Sequence, residues 1–89
     1  MVRDNAAASR FELEVEGAIA YVDYHHEGAI LHLDYAKVPP ELAGRGLGSR
    51  LVRETLEFVA GRGERVVPVC GFIARFMREN PEFDGLRAR

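Results

Sequence analysis

Val38-Pro39-Pro40-Glu41-Leu42-Ala43-Gly44-Arg45-Gly46-Leu47-Gly48-Ser49-Arg50-Leu51 divides the chain into a strand-forming half and a helix-forming half. Neither proline carries an amide hydrogen, and each pushes the residue before it toward extended geometry, so a strand arriving at Val38 must end there. From Leu47 onward the apolar residues Leu47, Leu51, Val52, Leu56 and Val59 share one helical face, and Arg50, Arg53, Glu54 and Glu57 share the other. This spacing predicts an amphipathic helix ending near Gly61. Between strand and helix stand Gly44, Gly46 and Gly48, at alternate positions.

Upstream, Phe11, Leu13 and Val15 alternate with Arg10, Glu12, Glu14 and Glu16, the pattern of a strand with one wet face. Gly17 punctuates, and residues 18–25 predict a second strand. His26-Glu27-Gly28 suits a hairpin connection because Gly28 can take a positive φ, and residues 29–38 then run antiparallel to the second strand. Downstream, residues 65–70 form a short apolar run that predicts a buried strand parallel to the third, reached by a right-handed crossover. Pro68 lacks a ladder donor, so this strand should pull away from a neighbour nearby. Phe72, Ile73, Phe76 and Met77 fit one face of a second, shorter helix stopped by Asn80-Pro81. The fold class is therefore α/β with a mixed sheet: an antiparallel three-strand meander, a helix, a splayed parallel strand and a short C-terminal helix. Residues 10–84 make one domain between a loose tail over 1–9 and a short tail over 85–89.

The composition bounds the function. Eighty-nine residues support one core, since a domain of this size buries only roughly 60 to 65% of its unfolded surface. A net charge of −2 makes no field that attracts nucleic acid or a membrane surface. No apolar run approaches the roughly 20 residues that span a bilayer, and residues 1–9 lack a secretory core. One cysteine, Cys70, can form neither an internal disulfide nor a Cys-based zinc site, which suits a reducing, cytoplasmic setting. His25-His26 does not predict a metal site, because neighbours on a strand point to opposite faces.

Residues 44–49 fall at the carboxyl end of a strand and the amino end of a helix, where open α/β sheets place their ligands. The first helical turn has unpaired amides and a partial positive charge, so it favours anions. Gly44, Gly46 and Gly48 keep side chains out of the way, and Arg45 and Arg50 add charge. A P-loop needs a lysine that is missing here, and a dinucleotide fingerprint counted from Gly44 needs glycine where Ser49 stands. Taken alone, three glycines are also consistent with a mere tight turn and helix cap; the strand-loop-helix context favours the anion site.

The same stretch resembles the segment of GNAT acetyltransferases that carries Gln/Arg-x-x-Gly-x-Gly/Ala, with Ala43 where the family usually has Gln or Arg. Cys70-Gly71-Phe72-Ile73-Ala74-Arg75-Phe76 and Asn80-Pro81-Glu82-Phe83 resemble a branch of small single-domain coenzyme A binders in that superfamily. The likeness runs from about Phe11 to Phe83. That branch often has His-Thr where Tyr35 and Ala36 stand here, so the histidine's role does not transfer. The resemblance implies acetyl-coenzyme A as cosubstrate, with no metal. Its pyrophosphate would lie on Gly44, Arg45, Gly46, Leu47, Gly48 and Ser49, and its pantetheine arm on the backbone of Ala36, Lys37 and Val38.

Acetyl transfer needs a deprotonated amine, a polarised thioester and a proton source for the leaving thiolate. Cys70 precedes a helix start, a position that favours a thiolate, and is the candidate catalytic residue; its place is equally consistent with an inert buried cysteine. The superfamily's late tyrosine has no counterpart after Tyr35. His32, Asp34 and Glu41 flank the site as weaker candidates for a general base. Three functions remain open: an N-acetyltransferase acting on an amine, such as one on a protein; a non-catalytic coenzyme A-binding module; and an interaction domain without nucleotide affinity.

Overall fold

The alternation in residues 10–16 becomes a central strand of the structure, a computed structural model that describes residues 1–88. Strands β1 (Arg3–Asn5), β2 (Arg10–Val15), β3 (Ala18–Glu27) and β4 (Ile30–Lys37) pair antiparallel in chain order. Helix α1 (Leu47–Gly61) then crosses to β5 (Arg65–Pro68), which adds parallel to β4, and α2 (Gly71–Glu79) follows. Short 3-10 turns occupy Ala6–Ala8, Pro40–Leu42 and Pro81–Leu86.

Period-two alternation sends Phe11 and Leu13, Ala20 and Val22, Leu31 and Leu33, and Val66 to one face of the sheet. Leu51, Val52, Leu56 and Val59 of α1 and Ile73 and Met77 of α2 close over that face in a single core. Each such aliphatic side chain contributes about 1.5–3 kcal/mol by leaving water. Both helices lie on this side; no helix among the described residues covers the other. Among the described residues no helix is long and apolar enough to cross a membrane.

The N-terminal segment is not a loose tail. Arg3–Asn5 forms the edge strand β1, Val2 is buried, and the Asn5 side chain accepts from the Ala8 amide to shape the turn into β2. Charge holds this strand: Glu12, expected on a wet face, is only 3% exposed and accepts from Arg10 Nε at 2.6 Å, Asn5 Nδ2 at 3.1 Å and Arg3 Nη2 at 3.1 Å. Its hydrogen bond from Arg10, followed by that from Asn5, holds its pKa below the ordinary carboxylate value. Asp4 accepts from Tyr24 Oη at 2.6 Å and from Arg62 Nη1 at 2.7 Å, tying β1 to β3 and to the end of α1.

The hairpin turns later than expected, pairing Glu27 with Ile30 across Gly28 and Ala29, with Gly28 at φ 61°. At the other end Leu86 packs on the core and the Ala88 amide donates to the Val66 carbonyl at 2.8 Å, so residues 85–88 are docked on β5 and are no tail. Arg89 lies outside the described residues.

Burial, followed by the hydrogen bond to Asp4, pushes the Tyr24 phenol up to about 12 from its ordinary 10. The neutral phenol is the form favoured by folding, so this stability is complete below pH 10 and lost as pH rises through about 12. Tyr24→Phe should show a shallower alkaline fall in stability across that window, and should remove the tyrosinate absorbance that rises near pH 12 in a spectrophotometric titration.

Candidate cleft between β4, β5 and helix α1

The β4–β5 ladder is short. It pairs Ile30 with Arg65 and ends with Leu33 opposite Pro68. The Val69 amide then bends back to the Val67 carbonyl at 3.0 Å, and the Cys70 amide takes the Leu33 carbonyl at 3.0 Å. Beyond that bond the chain leaves for α2, while β4 continues to Lys37 paired only with β3, through Asp23↔Tyr35, Val22↔Ala36 and Tyr21↔Lys37. The expected splay is thus present, but Pro68 is not its cause. The Ala88 bond places Val66 on the outer edge of β5, and alternation puts Pro68 there too, where a missing amide hydrogen is tolerated. The departure begins at Val69. A register shift between Asp23 and Tyr24 leaves Asp34 as an extra residue in β4, and such a bulge adds local twist where the strands part.

The loop after β4 is anchored by buried Leu42 and then turns through two left-handed glycines, Gly44 at φ 79° and Gly46 at φ 71°. Both face open space. Gly46 is the N-cap of α1, no side chain caps the helix, and the first helical bond runs from Arg50 N to Gly46 O at 3.3 Å. The amides of Leu47, Gly48 and Ser49 therefore stand at the unpaired start of the helix. Leu47 itself is buried, Gly48 half-buried and Ser49 exposed.

Gly48 has a second role. A Cβ there would lie 3.2 Å from the Phe72 ring and 3.8 Å from Val38 Cγ2, so glycine lets the start of α2 approach the start of α1. Phe72, expected in the core, is instead 47% exposed, whereas Ile73, Phe76 and Met77 are buried. The buried arc of α2 follows the spacing of those three, and Phe72 falls beside it, at the mouth of the cleft. Its importance there was invisible in sequence, since it depends on a contact with a glycine in another element.

The guanidinium groups are engaged elsewhere. Arg45 makes a two-pronged pair with Glu16, Nη1 to Oε1 and Nη2 to Oε2, both 2.9 Å, and this holds the Glu16 carboxyl below its ordinary pKa. Arg50 bonds Glu54 at 2.7 Å. Positive potential at the loop thus comes from backbone amides. Cys70, half-buried, occupies the N-cap position of α2 and packs partly against the core. The structure brings Val38, Gly48 and Phe72 together and sets Cys70 across the gap from β4. Ala36 and Lys37 line the freed stretch of β4, His32 and Asp34 lie on or beside it, and Glu41 is exposed in the 3-10 turn. A surface hollow of about 720 Å³ lies away from the cleft between Met1, Val2, Arg50, Glu54, Glu57 and Phe58.

Comparison with known proteins bears on this arrangement. Protein NATD1 of Bos taurus is 35% identical over 52 residues, which are 58% of this chain and 46% of that protein. Protein NATD1 of Gallus gallus is 31% identical over 52 residues, 58% of this chain and 47% of that protein. The matched region thus spans about half the length of these curated relatives. A GCN5-like protein from Staphylococcus aureus solved in solution superimposes with a TM-score of 0.72 at 18% identity, covering 99% of this chain and 87% of that one, which establishes a shared fold. The sequence pattern described as GCN5-related N-acetyl-transferase matches residues 10–86. The chain belongs to the GCN5-related N-acetyltransferase family.

Proposed function

We propose that the protein binds acetyl-coenzyme A in the β4–β5 cleft and transfers the acetyl group to an amine. The observation that carries this reading is the adjacency of two unpaired backbone surfaces, residues 34–37 of β4 on the β5 side and the uncapped start of α1. Unpaired backbone groups seek partners. A ligand with amides along an extended arm and a pyrophosphate at its far end supplies both at once. In this reading the pantetheine arm lies along Ala36, Lys37 and Val38 as an added strand. The pyrophosphate meets the loop of Gly44, Arg45, Gly46, Leu47, Gly48 and Ser49, and the thioester reaches the parting point near Leu33 and Cys70.

The acceptor nitrogen, having given a proton to a base such as His32 or Asp34, attacks the thioester carbon. The C–N bond forms and the C–S bond breaks, and the departing thiolate takes a proton from the Cys70 thiol or from water. The uncovered sheet face leaves the acceptor side open, which suits a bulky acceptor such as a protein amine. A cysteine without a disulfide partner suits the reducing cytoplasm. One observation favours a second reading, a non-catalytic coenzyme A-binding module: Cys70 leans on the hydrophobic core.

Acetyl-coenzyme A should bind in calorimetry and raise stability by about 2.7 kcal/mol at a hundredfold excess over its dissociation constant. No binding at millimolar ligand would overturn both readings. Gly46→Asn should weaken that binding at least tenfold while leaving the fold intact, because asparagine tolerates the left-handed region yet places a side chain before the helix amides. Unchanged affinity in a folded variant would remove the loop from the site. Acetyl transfer by the parent protein separates the two readings, and Cys70→Ala then tests the proton source. Loss of acetyl transfer with unchanged coenzyme affinity is the expected signature of an interaction made only in the transition state; full turnover would leave water as the proton carrier.

A further inference from the structure

At the β3–β4 hairpin, on the sheet face that no helix covers, four side chains with metal-binding chemistry converge. His25 and His32 are direct cross-strand partners, and their rings lie 4.7 Å apart at 20°. Glu27, two residues from His25, shares its face. Its carboxylate sits between both imidazoles, with Oε2 at 2.9 Å from His25 Nε2 and Oε1 at 3.7 Å from His32 Nε2. The bulge residue Asp34 accepts at 2.6 Å from His25 Nδ1. His26 points the other way, to Glu64 at 2.9 Å.

We propose that His25, Glu27 and His32 form a binding site for one divalent transition-metal ion of the zinc class, with Asp34 as the outer carboxylate that orients His25. Ligand atoms from the three residues lie within 4.8 Å of one another. Tetrahedral zinc with bonds of roughly 2.0–2.2 Å needs its ligand atoms roughly 3.3–3.6 Å apart. Side-chain rotation alone closes that difference, because His25 and Glu27 are exposed and the backbone register already fixes the spacing. Both ring nitrogens of His25 face carboxylates; with Nδ1–H donating to Asp34, a bound ion takes the place of the Nε2 proton that otherwise bonds Glu27. A carboxylate behind a ligating histidine is the usual second partner at such sites, fixing tautomer and ring orientation. Two carboxylates and two neutral imidazoles carry two negative charges, which a divalent ion balances. Two nitrogens and one oxygen are borderline ligands that suit zinc, copper or nickel over magnesium or calcium. The three side chains leave a fourth position for water. The titration needs no coenzyme, although the cluster shares His32 and Asp34 with the candidate bases of the proposed transfer, and an ion held there would occupy both.

The test uses the full chain, untagged and stripped by a chelator, titrated calorimetrically with Zn²⁺. One equivalent should bind, with affinity lowered at least tenfold in His25→Ala and in His32→Ala, and about 10- to 100-fold in Asp34→Asn. His26→Ala and Cys70→Ala should bind as the parent does. Cu²⁺ at the same site should show electron paramagnetic coupling to two nitrogens, reduced to one in either His25→Ala or His32→Ala. No heat with Zn²⁺, or binding that survives both histidine substitutions, or binding lost in Cys70→Ala or His26→Ala, would overturn the proposal.

Discussion

The hydrogen bond from the Cys70 amide to the Leu33 carbonyl is the last one joining β5's chain to β4, and the candidate site depends on its being last. Had the Val69 amide taken that carbonyl, the ladder would have run on and buried the edge of residues 34–37. Instead Val69 turns back on Val67, and β4 projects past its partner. A buried backbone group without a partner costs about 1–3 kcal/mol, so such an edge is tolerable only where water or a ligand reaches it. At the mouth of the cleft the Phe72 ring and the Val38 side chain both approach Gly48, which leaves no room there for a side chain.

The one-sided core sets the second constraint. With both helices on one face, the other face must be stable in water, and it is built of charged and aromatic groups that satisfy one another. Glu12 gathers Arg3, Asn5 and Arg10, while Arg10 also stacks over Tyr21 at 4.5 Å. β1 serves both faces: Arg3 and Asn5 join Glu12 on the uncovered face, Asp4 bonds Tyr24 beside the core, and Val2, just before the strand, is inserted among apolar side chains. Arg62 extends the same tie to α1, stacking on Phe11 and Phe58 while bonding Asp4.

What the sequence made legible was local. The bounds of α1 followed from one amphipathic stripe ended by a glycine, and β2 from strict alternation. What it hid was set by partners distant in the chain. β1 is three residues long and has no alternation to detect. Glu12 reads as a wet-face residue until three neighbours cover it. The hairpin shows the principle most sharply: a connection at His26-Glu27-Gly28 sets residue 25 opposite residue 29, whereas the observed turn sets His25 opposite His32. The reasoning that adjacent His25 and His26 face apart was sound, yet it could not see across the strand, because a shift in register changes every cross-strand partner.

The loop was legible in its glycines and not in its arginine. Positive φ at Gly44 and Gly46 is a backbone requirement that the residue type announces, whereas the partner of Arg45 stands 29 residues earlier, in the turn after β2. That pairing shapes how the proposed coenzyme site would work. Glu16 and Arg45 are both exposed, and exposed ion pairs contribute little because water screens them. A pyrophosphate offers a guanidinium the same two-pronged geometry with more charge. An arriving anion would therefore meet the helix amides, which need no rearrangement, and would draw Arg45 from Glu16 afterwards. On this account the backbone selects the ligand's position, and the arginine, released from a weak partner, adds affinity only once that position is filled.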